Sequence, residues 1–250
     1  MPNDIYVKYL PVVDSTNDYL RHERGNLLEE AGDARVVAVY AGRQTAGRGQ
    51  RGNVWHSRDG ENLLLSMLVR PRSLPVKGQF LLSQAVALAV NEAMHACGID
   101  SVVKWPNDIY VGNRKVAGVL VELDCEGGMV SDAIVGVGVN VNQTEFPVMD
   151  KIPVSISMLT GRTFDVGEVL DVLLASFVRY YEMLEQDDGP VIEARYKENL
   201  LGFGTVMRYR DAGSVFDAAI TDVQGDGALS LERGDGTVSR YYFKEVELLL

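Results

Sequence analysis

The sequence is poor in cysteine, histidine and long apolar runs, and each scarcity excludes a class of protein. Two cysteines, Cys97 and Cys125, among 250 residues cannot staple a secreted scaffold, and neither belongs to a C-x-x-C or zinc spacing. A reducing, cytoplasmic setting is expected. The three histidines, His22, His56 and His95, form no H-E-x-x-H. Neither G-x-S-x-G nor G-x-x-x-x-G-K-[ST] occurs, which sets aside zincin, hydrolase and P-loop chemistry. The apolar stretch Ala85 to Val90 is far short of the ~20 residues that cross a bilayer. Met1 to Lys8 lacks the basic and apolar segments of a secretory signal, so no membrane role is expected. Basic residues are in deficit too: 24 against 35 acidic give a net charge of −11. That is the opposite of what displaces counterions from a nucleic-acid backbone, so no DNA partner is expected.

Apolar residues, at 46% of the chain with 24% charged, suffice for a core. The length suits one large domain, or one of about 200 residues with a small companion. Ser15 with Asp18 resembles a capping box ahead of a helix through Leu28, closed by Gly32. Val36 to Tyr40, Asn62 to Val69 and Ala133 to Val141 read as buried strands, and Val76 to Cys97 as a helix. Val102 to Lys104 reads as a short strand that Trp105, held extended by Pro106, continues. Ile109 to Val111 and Val116 to Leu123 form a hairpin about Gly112-Asn113. Residues 143 to 165 look irregular, and helices follow over 167 to 185 and 191 to about 200. After Gly202 the texture changes to short strands with glycine turns, a module of about 48 residues built as a barrel or meander.

Against the acidic whole, one stretch stands out. Ala34 to Arg58 holds no Asp or Glu but five arginines, Arg35, Arg43, Arg48, Arg51 and Arg58. Gly47-Arg48-Gly49-Gln50-Arg51-Gly52 satisfies G-x-G-x-x-G, yet a strand rather than a helix follows, and no kinase H-R-D or D-F-G occurs. The physics that survives is close approach of backbone N–H groups and guanidinium forks to a phosphate or carboxylate; the bland alternative is a solvated flexible loop. Lys104-Trp105-Pro106-Asn107-Asp108 puts a lysine beside an apolar strand, either snorkelling to the surface or held for a charged ligand. Ser15-Thr16-Asn17 is a helix cap or a ligand site. The glycines of Gly136-Val137-Gly138-Val139-Asn140 imply close approach by a ligand or by packing, with nothing in the sequence to choose between them.

Taken together, Asp14-Ser15-Thr16-Asn17, the Gln44 to Gly52 segment, Lys104 to Asp108, Arg114-Lys115-Val116-Ala117-Gly118 and Gly136 to Asn140 resemble a biotin protein ligase over nearly the whole chain. The resemblance implies an α+β fold: a mixed sheet with flanking helices, like lipoate ligases and class II tRNA synthetases, over residues 1–201. An SH3-like barrel over 202–250 would follow. It implies biotin, ATP and Mg²⁺, a biotinyl-5′-AMP intermediate, and transfer to a lysine of a biotin carboxyl carrier domain. Ser15, Thr16, Asn17 and Gln44 would bind the ureido head. Gly47, Arg48, Gly49, Gln50 and Arg51 would close over carboxylate and α-phosphate, Trp55 would stack adenine, and Gly118 would let the strand contact biotin. Lys104 would follow the carboxylate into the adenylate, with Asn140, Asn107 and Asp108 positioning phosphate or Mg²⁺.

Lys104, Arg48 and Arg51 are therefore the expected catalytic set, and no protein metal ligand is assigned. Gln50 stands where repressor-type members carry arginine, which shifts charge balance to Arg51 and the C-terminal module. Only 13 residues precede Asp14, so a DNA-binding domain of the repressor type is not expected, while an exposed edge strand leaves room for a homodimer. Residues 47 to 54 should gain order on binding ligand. Lipoate or octanoate ligation, and biotin binding without catalysis, are the competing readings.

Overall fold

The computed structural model describes residues 4–149 and 151–250, with the side chain of Arg51 outside the description. A mixed seven-stranded sheet organises the larger part of the chain. Its first strand, β1 (Ile5–Leu10), lies parallel to β2 (Val36–Ala41). Between them runs α1 (Thr16–Ala31), capped by Ser15, whose side chain accepts from Asp18 N at 3.4 Å. Next in the chain are β3 (Leu63–Val69), α2 (Phe80–Ala96), β4 (Val102–Lys104), β5 (Asp108–Val111), β6 (Arg114–Glu126) and β7 (Met129–Val139), and the strands lie in the order β1-β2-β3-β7-β6-β5-β4. The short α3 (Ile156–Thr160) precedes α4 (Val166–Glu185) and α5 (Gly189–Glu198).

Period-two alternation gives the sheet two chemically different faces. On one, Val36, Ala38, Leu65, Met67, Val135, Val137, Val139 and Ala117 join the main core, against which α2 and α4 pack. α2 is buried almost all round, as expected of a helix that is apolar on every side. On the other face a small cluster, Leu20, Leu27, Val37, Val39, Leu68 and Ile134, seats α1. The rest of that face is left to small and polar residues, which is where the candidate site lies.

A second, all-antiparallel sheet holds β8 (Val206–Asp211), β9 (Val215–Val223), β10 (Leu229–Arg233), β11 (Val238–Tyr241) and β12 (Val246–Leu248), ordered β11-β10-β9-β8-β12. Among the described residues no ladder joins β11 to β12, so a five-stranded sheet is present without an established barrel closure. It meets the larger sheet at Trp105, whose Nε1 donates to Gly227 O at 3.0 Å and whose ring lies edge-on to Phe243. Lys197 adds an ion pair to Asp222 at 2.6 Å.

Three local expectations are corrected. Trp105 does not continue the strand: β4 ends at Lys104, and Trp105, Pro106 and Asn107 form the turn, across a cis Trp105–Pro106 peptide. Proline's restriction on its neighbour leaves turn conformations open as well as strand. The helix expected from Val76 begins at Phe80, after a single 3₁₀ turn over Val76–Gly78. Of the segment expected to be irregular, residues 143–149 and 151–165 are so except for α3, which Ser155 caps by accepting from Met158 N at 3.2 Å.

Candidate functional site

Strand register explains why glycines line this face. Lys104 pairs with Asp108, Asp108 with Gly118, Gly118 with Gly138 and Gly138 with Leu64, one row across five strands. The next row is Leu120, Gly136 and Ser66. On β7 the valines thus enter the core and the glycines face the cleft. A Cβ on Gly138 would lie 2.4 Å from the Trp55 indole, and one on Gly136 2.5 Å from Asn17 Oδ1. Close packing by these side chains therefore requires glycine, whatever ligand the cleft also takes.

At the α1 end the cleft is polar. Thr16 donates from N at 2.8 Å and from Oγ1 at 3.1 Å to Gln44 Oε1. Ser66 Oγ lies 2.7 Å from Thr16 Oγ1 and donates to Asn17 Oδ1 at 2.5 Å. Asn17 Nδ2 donates to Glu122 Oε2 at 2.9 Å. Ser15, Thr16 and Asn17 are buried. Helix capping and cleft lining are thus compatible roles for this segment.

The arginine loop folds over the opening as a tight turn: Gly49 N donates to Asn53 O at 2.7 Å and Trp55 N to Gly47 O at 3.0 Å. Gly47 admits this because a Cβ there would lie 2.6 Å from Trp55 O. Arg48, Gly49, Gln50, Asn53 and Trp55 line the cleft. Arg48 is held by Asp18 and, at 2.9 Å, by Glu122. The Arg51 side chain lies outside the described residues. Trp55 divides this cleft from a second one shared with His56, Asn140, Phe146, Met149 and Lys151. Its Nε1 is buried without a hydrogen-bond partner.

Opposite the polar end sits a cationic one. Asp108 accepts from Lys115 at 2.6 Å and from Lys151 at 2.9 Å. Burial pushes the Asp108 carboxyl up, but the two ammonium groups override it and hold it below the usual carboxylate range. Burial, with Lys151 next, pulls Lys104 below the ordinary lysine value of 10.5. Lys104 stands at the far end of the row, 5.0 Å from the Tyr110 ring centroid, and is not among the residues that line the cleft, as Lys115 and Lys151 are. Asn107 donates to Val119 O, and Asn140 to Val154 O at 3.1 Å. Asn107 thus serves the main chain here, while Asn140 also faces the second cleft.

The structure brings Ser15, Thr16, Asn17, Gln44, Arg48, Gly49, Gln50, Trp55 and Gly118 to one cleft. Sequence reasoning missed Ser66, Glu122, Lys115 as a lining residue, Lys151 and Phe243. Alternation could have placed Glu122 on the face of Gly118 and Leu120; nothing local marks the others.

Residues 9–140 match the Biotin/lipoate A/B protein ligase family. The chain is 34% identical over 247 residues to the bifunctional ligase/repressor BirA of Salmonella typhimurium, covering 97% of this chain and 74% of that protein. It is 29% identical over 213 residues to the biotin–[acetyl-CoA-carboxylase] ligase of Mycobacterium tuberculosis, covering 81% and 75%. The structure of biotin protein ligase from Aquifex aeolicus in complex with biotin and ATP superimposes with a TM-score of 0.77 at 26% identity, over 97% of this chain and 98% of that one.

Proposed function

The chain belongs to the biotin/lipoate A/B protein ligase family, and on that premise we propose that it joins biotin to a protein lysine through biotinyl-5′-AMP. One observation carries the reading. A single cleft presents a buried polar end, a glycine floor and a cationic end, which matches the ureido ring, aliphatic chain and carboxylate of biotin in that order. The solved relative from Aquifex aeolicus, described with biotin and ATP bound, supports it.

In the first step a biotin carboxylate oxygen attacks the α-phosphorus of ATP, the phosphoanhydride bond breaks and pyrophosphate leaves. In the second, the amine of a carrier-domain lysine attacks the acyl carbon, AMP leaves and the amine loses a proton. The acceptor supplies the nucleophile, so this chain's task is to position and to stabilise charge. Ser15, Thr16, Asn17 and Gln44 orient the head. Gly118 and Gly138 let the chain pass. Arg48, Arg51 and Lys104 offset charge where carboxylate meets phosphate, and Trp55 with Asn140 serves the adenine side. Residues 1–201 would form the catalytic unit, with the SH3-like module of 202–250 closing one side through Phe243.

Magnesium would arrive on the nucleotide phosphates, which is how this ion usually binds. Asp108 is already engaged by two lysines, and among the described residues no group of three His, Cys, Asp or Glu gathers. The described residues do not build a resident cation site. The net charge of −11 argues against a phosphate backbone as partner. The test is ATP–pyrophosphate exchange by the purified protein. Biotin should support it and Lys104→Ala should abolish it; exchange supported by lipoate or octanoate and not by biotin overturns the reading.

A further inference from the structure

We propose that Glu122 is a positioning residue that couples recognition of the substrate's polar head to closure of the arginine loop. The inference rests on the ligase reading for what fills the polar end, but the contacts that carry it belong to the protein alone. Glu122 stands on β6, two residues beyond Leu120 and therefore on the cleft face. Its two oxygens are divided: Oε2 accepts from Asn17 Nδ2 at 2.9 Å, and Oε1 accepts from the Arg48 guanidinium at 2.9 Å. Asn17 belongs to the first turn of α1 and Arg48 to the loop, so one carboxylate from the sheet joins both.

Each partner is fixed on its far side as well. Asn17 Oδ1 receives the Ser66 hydroxyl at 2.5 Å, and turning the amide over would set Oδ1 against the Glu122 carboxylate, acceptor against acceptor. Arg48 reaches Asp18, the residue after Asn17, with its other nitrogen. A head group that draws on Asn17 therefore shifts the acceptor on which Arg48 depends, and an arginine drawn toward an anion shifts the acceptor on which Asn17 depends. Such coupling is reciprocal by thermodynamic necessity. Arg21, 3.5 Å from Oε2, adds charge balance from outside the cleft. Burial raises the Glu122 carboxyl, and the Asn17 hydrogen bond and Arg48 lower it further than that, so the group stands ionised.

Substitutions can separate the two arms. Glu122→Gln keeps an oxygen for Asn17 and turns an NH₂ toward Arg48, which has only donors to offer. Asp18→Asn weakens the other hold on Arg48 and leaves Asn17 with Glu122. Glu122→Asp keeps the charge and shortens its reach.

The experiment uses the full chain and two readouts. Without ligand, amide hydrogen exchange over residues 47–54 should rise at least tenfold in Glu122→Gln, less in Asp18→Asn and least in Glu122→Asp, with the amides of β3 and β7 unchanged. With biotin as the probe, the affinity losses of Asn17→Ala and Arg48→Ala should be non-additive by at least fivefold, within the ~5–150-fold range of such couplings. They should become additive in a Glu122→Gln background. A purely structural ion pair would lower stability without moving that interaction. Unchanged loop exchange in Glu122→Gln overturns the proposal. So does additivity in the wild-type background, or coupling that survives Glu122→Gln. If the wild-type chain binds no biotin, the ligase reading fails, and with it the coupling to that substrate. The exchange arm still decides separately whether Glu122 holds the loop.

Discussion

Two regions of this molecule are rich in positive charge, and they are built in opposite ways. In the acid-free stretch from Ala34 to Arg58, every arginine whose side chain is described meets a carboxylate brought from elsewhere. Arg35 pairs with Glu182 at 3.1 Å, Arg43 with Asp59 at 3.3 Å, Arg48 with Asp18 and Glu122, and Arg58 with Glu145. At the other end of the cleft, Lys115 and Lys151 pair with the buried carboxylate of Asp108, and Lys104 feels the charge of all three, with Glu247 acting on it from the smaller sheet. A run of like charge in sequence is thus largely balanced in space, while lysines 47 residues apart (151 − 104) create the local excess. Electrostatic attraction of an incoming anion follows the spatial arrangement.

The contrast breaks first at its most buried point. Asp108→Ala leaves Lys115, which is mostly buried, without its counter-charge. Removing one partner of a buried pair costs about 3 kcal/mol or more. Urea unfolding should show a loss of that size, larger than for any single arginine substitution between Ala34 and Arg58. A loss below about 1 kcal/mol would mean that water already solvates the lysine end as it does an exposed pair.

The glycine floor between the two regions comes next. Gly138→Ala places a Cβ where the Trp55 indole now lies, 2.4 Å away, and the loop must lift to make room. Biotin-dependent exchange should fall at least tenfold. Stability should change little, because Trp55 hangs from a loop and its Nε1 has no partner to lose. Normal exchange kinetics in this variant would show that Trp55 need not lie on the floor during turnover.

A pH profile sharpens the comparison, since lysines titrate in an accessible range and arginines do not. Lys104 sits below the ordinary 10.5, chiefly through burial and then through Lys151. Its charge is lost as pH rises through that lowered value, so exchange activity should decline before an ordinary lysine would titrate. The contribution of Lys104 to stability runs the other way. Between its folded and unfolded pKa the unfolded chain holds more protons, and stability rises with pH. Lys151→Met removes a neighbour that lowers Lys104 and should move the alkaline limb upward. An unmoved limb would assign the titration to another group.

Most long elements were legible in the sequence because their periodicity matches their burial: β3 and β7 as apolar strands, α2 and α4 as helices. β1 was not, because its residue types run against its burial: Lys8 stands on the half-buried face of this edge strand, and the apolar Val7 and Tyr9 on the exposed one. β12 has three residues, too few for any pattern. The polar end was legible as Ser15, Thr16, Asn17 and Gln44, whose motif is local. Ser66 and Glu122 were not, since they enter through pairings 49 and 105 residues away from Asn17. The Gly136 and Gly138 pattern was visible, but only the positions of Asn17 and Trp55 show what approaches them.

The smallest effect tests whether sequence position or spatial pairing governs an arginine's importance. Arg43 and Arg48 lie five residues apart in the same acid-free stretch. Arg43 meets Asp59 with both side chains at least half exposed, 51% and 65%, whereas Arg48 meets Glu122, which is only 21% exposed and also holds Asn17. An exposed pair contributes little after side-chain entropy and salt screening, so Arg43→Ala should change unfolding stability by no more than about 0.5 kcal/mol. It should leave biotin-dependent exchange at the wild-type rate. If Arg43→Ala instead lowered exchange as strongly as Arg48→Ala, the stretch would act through its summed charge, and the pairing that separates these two arginines would have no functional meaning.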